Sequence, residues 1–176
     1  MSFGQKAQEF SVFKLLISAI IALAILAVLM PIIGSIFLGF GTNPNDEAVT
    51  QIKNLYNKPS QHVLTKAVTF TQASGGLNSK SIATGTQLLS QSQLWLGTGD
   101  FSDGEEFALT TSGGIINYTG SGSKSVKLSI MCDAGKDIDT DLTENGLESI
   151  KPANTPPTAC DTSSNETCCV ILLRSA

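Results

Sequence analysis

Apolar positions crowd one end of this chain. From Leu15 to Gly41 no charged side chain interrupts a run of 27 residues, which at about 1.5 Å per helical residue is long enough to cross a hydrocarbon core of roughly 30 Å. A cleaved secretory signal needs only about 7–15 apolar residues before its cleavage site, so the run is too long for one. The pattern predicts an α+β protein, with a long N-terminal hydrophobic stem helix followed by a small antiparallel β-rich head domain.

Past the run, Gly41-Thr42-Asn43-Pro44 reads as a break. Asn45 or Asp46 then caps an amphipathic helix over residues 45–57, with Val49, Ile52, Leu55 and Tyr56 on one face and Lys58-Pro59 ending it. After it the chain turns to Ser, Thr and Gly with short alternating stretches. Ala67–Thr71, Leu94–Leu96, Glu106–Leu109, Ile115–Tyr118 and Ser125–Ile130 are the predicted strands, separated by glycine-containing turns. A short helix is expected around Ser79–Leu89, weakened by Gly85. Cys168–Leu173 is apolar on both faces and reads as a central strand.

Composition narrows the functional classes. A chain of 176 residues has room for the stem and one head with a conventional core. Beyond Gly41 there are nine Lys or Arg against fourteen Asp or Glu, with no basic cluster. Nucleic acid is therefore not an expected partner.

All four cysteines, Cys132, Cys160, Cys168 and Cys169, fall in the last third. Their even number predicts disulfides in an oxidising compartment, in preference to a metal site, because there is no Cys-x-x-Cys and the single histidine, His62, is remote in sequence. A bridge between Cys168 and Cys169 is disfavoured, since neighbouring side chains on a strand point to opposite faces. Two connectivities remain open: Cys132–Cys168 with Cys160–Cys169, or Cys132–Cys169 with Cys160–Cys168. Asn117-Tyr118-Thr119 and Asn165-Glu166-Thr167 are acceptor patterns for glycosylation in polar stretches, and they agree with an external head.

Glu9 is the charge that the apolar run does not explain. A carboxylate at membrane depth costs about 2.5–3.5 kcal/mol even on the lenient insertion scale, so it calls for a partner. Gly4-Gln5-Lys6-Ala7-Gln8-Glu9-Phe10 with an apolar segment behind it resembles the class III signal peptide of archaeal type IV pilin-like proteins. The resemblance covers residues 4–40. It implies a cut between Gly4 and Gln5 by a prepilin peptidase, leaving residues 1–4 as a leader, 5–42 as a stem or transmembrane helix and 43–176 as the extracellular head. It also implies that Glu9 meets the new amine of Gln5 on a neighbouring copy during assembly. An ion pair inside a bundle of apolar segments rewards one axial register.

Catalysis finds little footing. One histidine, no nucleophile with a local signature and scattered carboxylates form no recognisable constellation. His62 reads as a surface or helix-end residue, and Trp95 as a partly buried strand residue. Asp137, Asp139, Asp141, Thr143, Asn145 and Glu148 fall at relative positions 1, 3, 5, 7, 9 and 12 of an EF-hand-like calcium loop. The glycine that such a loop needs at its sixth position is replaced by Leu142, so the segment reads first as an acidic solvated loop and second as a calcium site.

Three classes follow. The chain is expected to be a structural subunit of a type IV pilus-like surface filament, first held in the cell membrane. Its partners are then other copies, the prepilin peptidase and the pilus assembly machinery, with heads exposed for adhesion or surface attachment. The alternative is a membrane-anchored extracellular binding domain that never polymerises, and an enzyme or ion-binding module comes last. Glu9 favours the first, because a simple tether gains nothing from a carboxylate at the membrane boundary.

Overall fold

A computed structural model describes residues 14–26, 43–110 and 112–176. The chain divides into two units, Met1–Phe40 and Gly41–Ala176.

In the first unit, residues 14–26 form helix α1. It is apolar but for Lys14 and Ser18, and its large apolar side chains are exposed, from Ile17 at 42% to Leu15 at 67%. Thirteen residues span only about 20 Å, and among the described residues no helix is long and apolar enough to cross a membrane. This overturns the expected fold class: α1 takes the place of a long stem helix.

The second unit opens with α2 (Pro44–Leu55), which starts earlier than residue 45 because Asn43, not Asn45 or Asp46, is the cap. The Asn43 side chain accepts the Asn45 N–H and Pro44 fills the first helical position. Instead of breaking the helix, Pro44 begins it. Strands β1 (His62–Leu64), β2 (Val68–Thr71) and β3 (Leu77–Asn78) lead to α3 (Ser79–Thr86), then β4 (Leu94–Gly97), β5 (Phe107–Leu109), β6 (Ile115–Tyr118) and the long β7 (Ser123–Ala134). Helix α4 (Gly135–Glu144) and two 3₁₀ turns, Glu148–Ile150 and Thr158–Cys160, precede β8 (Thr167–Ser175).

β7 and β8 are the spine. They pair antiparallel from Val126 opposite Ser175 to Ala134 opposite Thr167. β1 and β2 share the other edge of β7, and β4 closes the far side of β8. β4 runs parallel to β8, so the sheet is mixed and not antiparallel as expected. The chain leaves β4 and returns only after β5, β6, β7 and α4, and a connection of that length imposes no hairpin geometry. A second, three-stranded sheet, β3-β6-β5, joins the core through Phe107, whose ring lies 5.1 Å from that of Phe70 and 5.3 Å from that of Tyr118.

Strand alternation splits the core into two layers. Cys169, Ile171 and Leu173 of β8 face Ala48 and Ile52 of α2 and Ile82 of α3, together with Leu128, Ile130 and Cys132 of β7. Cys168, Val170 and Leu172 face the other way, toward Trp95, Met131, Ile138, Leu142 and Leu147. β8 is therefore buried on both faces, in agreement with its unbroken apolar sequence. Gly85 has a packing reason as well as a propensity cost: a Cβ there would lie 2.7 Å from Val49 Cγ2, so its absence lets α3 close on α2.

The core layer under α2 predicts a contrast between neighbours. Ile52 is fully buried and Lys53 exposed, so Ile52→Ala should lower unfolding free energy by about 2–5 kcal/mol, while Lys53→Ala should stay within about 0.5 kcal/mol. Urea unfolding of the disulfide-intact chain measures both. Equal effects would place α2 off the sheet.

Candidate functional site

Residues that carry the functional reading fall into four groups. Gly4, Gln5 and Glu9 lie outside the described residues. α1 is described, and apart from Lys14 and Ser18 its exposed surface is apolar, the kind that water does not tolerate around a free helix. Within it the exposed Ser18 hydroxyl donates to the Leu15 carbonyl at 2.8 Å.

The cysteines form two bridges, Cys132–Cys169 and Cys160–Cys168. Of the two connectivities left open, the register of β7 and β8 selects this one. Cys132 sits directly opposite Cys169, so their side chains leave the sheet on the same face. Cys168 points into the other layer, where the Thr158–Cys160 turn presents Cys160. All four sulfurs are used, and each face of β8 receives one bridge. On chain-entropy grounds the longer loop, with a separation of 37 residues, is worth about 4 kcal/mol and the shorter, with 8, about 2.5 kcal/mol.

The glycosylation candidates are both exposed. Asn165 lies in the irregular segment before β8, as its polar surroundings suggested, and Asn117 belongs to strand β6, the predicted strand Ile115–Tyr118. There it sits opposite Ala108, with its side chain turned away from the buried Ile116 and Tyr118.

The acidic stretch is not a solvated loop. It is helix α4, which buries Ile138, Asp141 and Leu142. Asp139 pairs with Lys151 at 2.7 Å, the Thr143 hydroxyl donates to the Asp139 carbonyl, and the Asn145 side-chain amide donates to the Asp141 carbonyl at 2.8 Å. Glu148 begins the following 3₁₀ turn. A helix fans successive side chains about its axis, and among the described residues no three acidic, histidine or cysteine side chains gather as metal ligands.

α4 instead contributes one half of a carboxyl pair that sequence reasoning did not find. Asp133, at the end of β7, accepts the Ser60 N–H at 2.6 Å and the Ser60 hydroxyl at 3.0 Å on one oxygen, and the Ala134 N–H at 2.6 Å on the other. Ser60 itself has φ of 59°, in the left-handed region that a residue with a Cβ seldom adopts, so the carboxylate holds a strained turn in place. Asp141 is only 5% exposed and faces Asp133. Burial, and then the neighbouring Asp133, push Asp141 up to about 6. Asp133 opposes its own partial burial with the Ala134 and Ser60 bonds and falls below the usual carboxylate range. Of the two, Asp141 is therefore the carboxyl that keeps its proton toward neutral pH. The only sequence signal was an aspartate directly after Cys132 at a strand end, which is too common to be singled out.

His62 lies on edge strand β1, not at a helix end, and its Nε2 is 2.7 Å from Ser129 Oγ. Burial, with the Arg174 guanidinium second, lowers its pKa below 6.5. No carboxylate completes a relay with this pair among the described hydrogen bonds. Trp95 is more buried than expected, at 2% exposure.

No protein-family model, no curated protein and no solved structure matches this chain.

The carboxyl pair sets a pH dependence with a definite sign. A carboxyl held near 6 when folded and at 3.8 when unfolded adds stability that is complete below about pH 4 and is lost as pH rises through 6. Asp141→Asn removes that proton uptake. Relative to wild type, the variant should therefore gain about 1–3 kcal/mol between pH 4 and pH 7. His62 titrates in the opposite sense but is common to both proteins and cancels in the difference. Chemical unfolding of both proteins across that range checks it, and a difference that does not change with pH would leave Asp141 with an ordinary pKa.

Proposed function

We propose that this chain is the structural subunit of a type IV pilus-like surface filament, in which apolar N-terminal segments of neighbouring copies cover one another and the disulfide-bonded domain faces the surroundings. The observation that carries the reading is a helix, residues 14–26, that is apolar but for Lys14 and Ser18, with Leu15 67% and Leu23 66% exposed, in a chain whose sequence places a Gly4-Gln5 step and Glu9 ahead of it. Such a surface is covered by lipid or by protein. Glu9 separates the two coverings. In lipid a carboxylate is a penalty, whereas beside the Gln5 amine of an adjoining copy, freed by cleavage after Gly4, it has a charge partner.

The membrane is the waiting place before assembly, and the filament on the cell surface the destination. Two bridged disulfides fit an oxidising exterior. Exposed Asn117 and Asn165 fit glycosylation there. The heads then serve adhesion or attachment, and the reading asks for no catalytic group and no cofactor.

Removing the charge should separate assembly from membrane residence. In Glu9→Ala the run from Leu15 onward is untouched, so the protein should accumulate in the membrane fraction at wild-type levels, while surface filaments fail or become irregular. Glu9→Gln should do the same, because an amide hydrogen-bonds but does not neutralise an ammonium group. Electron microscopy beside a membrane-fraction blot reads both. Wild-type filaments in both variants, or no filaments from the wild-type protein, would favour a solitary anchored domain.

A further inference from the structure

Exposure alone does not separate the two glycosylation candidates, Asn117 and Asn165. What separates them is how much of the fold has to open before an enzyme can hold either tripeptide. An amide nitrogen is a poor nucleophile, because its lone pair is shared with the carbonyl, so a transferase must seat the asparagine side chain in its own site. The Ser or Thr that the pattern demands at its third position shows that this hydroxyl is gripped as well. All three residues therefore have to leave the protein surface together.

At Asn117 the fold resists at every position. Tyr118, the middle residue, is buried at 8% exposure and its ring lies 5.3 Å from that of Phe107. β6 is the central strand of its sheet, between β3 and β5. Asn117 is paired with Ala108 on one side, and on the other Gly76 approaches so closely that a Cβ there would lie 2.9 Å from Asn117 Cα. The Thr119 hydroxyl is already committed to the Glu105 carbonyl at 2.7 Å, and its N–H to the Glu106 carbonyl at 2.9 Å. Withdrawing one large side chain from a core lowers the population of the opened form roughly ten- to a hundredfold by itself.

Asn165 differs at each of these points. It lies outside the helices and strands, Glu166 beside it is exposed, and the Thr167 hydroxyl has no hydrogen-bond partner among the described residues. Thr167 stands on the end rung of the β7–β8 ladder, opposite Ala134, and strand ends open before strand centres do. Two bonds from neighbouring segments have to part: Gly135 N–H to the Glu166 carbonyl at 2.9 Å, and the Gln93 amide to the Thr167 carbonyl at 3.0 Å. No core side chain moves with them. The Cys160–Cys168 bridge anchors the chain next to Thr167 while the tripeptide lifts.

We propose that the folded domain offers one acceptor for an N-linked glycan, Asn165, and that the fold closes Asn117 to transfer. The transfer joins Asn165 Nδ2 to the anomeric carbon of a sugar carried on a polyisoprenyl phosphate. The bond from that carbon to the phosphate oxygen breaks, the phosphate leaves with the electron pair, and one amide proton passes to a base on the transferase. The proposal rests on the reading above only in placing this domain outside the cell, and it needs no filament.

Full-length protein with its disulfides intact, recovered from the surface of the cells that make it, should be mapped by mass spectrometry with electron-transfer fragmentation, which leaves glycans attached. Asn165 should carry the glycan, with occupancy at Asn117 at least about tenfold lower. Asn165→Gln should remove the whole glycan mass and Asn117→Gln none of it; both positions are exposed, so neither change disturbs the core. Membranes of the same cells, as the source of transferase and lipid-linked sugar, should then be offered the Asn165→Gln chain in detergent, either folded or reduced and alkylated. A free peptide spanning residues 161–167 shows that transfer is running. Only the unfolded chain should gain sugar, at Asn117. Comparable occupancy of Asn117 in the native protein, or no N-linked glycan at all, would overturn the proposal, and an unfolded chain that stays bare would assign the choice to the tripeptide sequence and not to the fold. Filaments without a glycan would sink this proposal and leave the filament reading; a glycan on Asn165 without filaments would do the reverse.

Discussion

Strand β8 is the element on which the rest of this domain depends. It lies between β7 and β4 and is buried on both faces, so neither edge nor face meets water along most of its length. That position forces two adjacent cysteines into different layers of the protein. Cys169 bridges across the ladder to Cys132, under α2 and α3. Cys168 bridges to Cys160, under α4. One strand thus fastens both covering layers, and a slip of one residue in the β7–β8 register would exchange the faces of every side chain and separate both pairs.

The second layer is where the charged chemistry collects. Asp133 ends β7 and holds the Ser60 turn, and the buried Asp141 of α4 faces it and keeps its proton to about pH 6. A few residues on, Asp139 takes Lys151 and helps shape a cleft above Trp95. α4 therefore uses alternate acidic residues for different purposes: one buried, to anchor the helix to the sheet, and one at the surface, to balance a cation. At the other end of β8, Asp100 accepts from the Arg174 side chain and from the Ser175 N–H, each at 3.0 Å, which closes the C-terminal end of the strand.

Much of this was legible in the residue pattern, and the failures have physical causes. The β8 run declared itself by being apolar at every position, and α2 by its spacing of Ile52 and Leu55. β4 was seen as a strand, but its direction was not, because a long connection carries no local signal of parallel or antiparallel return. The Asp137–Glu148 segment was misread because acidic residues at every second position imitate a ligand loop, while the features that make it a helix, buried Ile138 and Leu142, are only two residues long in their effect. The carboxyl pair lay beyond reach: Asp133 and Asp141 meet only because β7 and α4 pack together. The apolar N-terminal run was read as one continuous helix on hydropathy alone. The described helix covers residues 14–26.

The opposed facing of Cys168 and Cys169 is the most exposed claim in this account, because one bond decides it. Tandem mass spectrometry of unreduced peptides, with backbone fragmentation between residues 168 and 169, assigns each sulfur separately. The structure predicts Cys132 on the fragment that carries Cys169 and Cys160 on the fragment that carries Cys168. Finding Cys132 joined to Cys168, or free thiols at these positions in protein recovered from the cell surface, would contradict the β7–β8 register and the two-layered domain built on it.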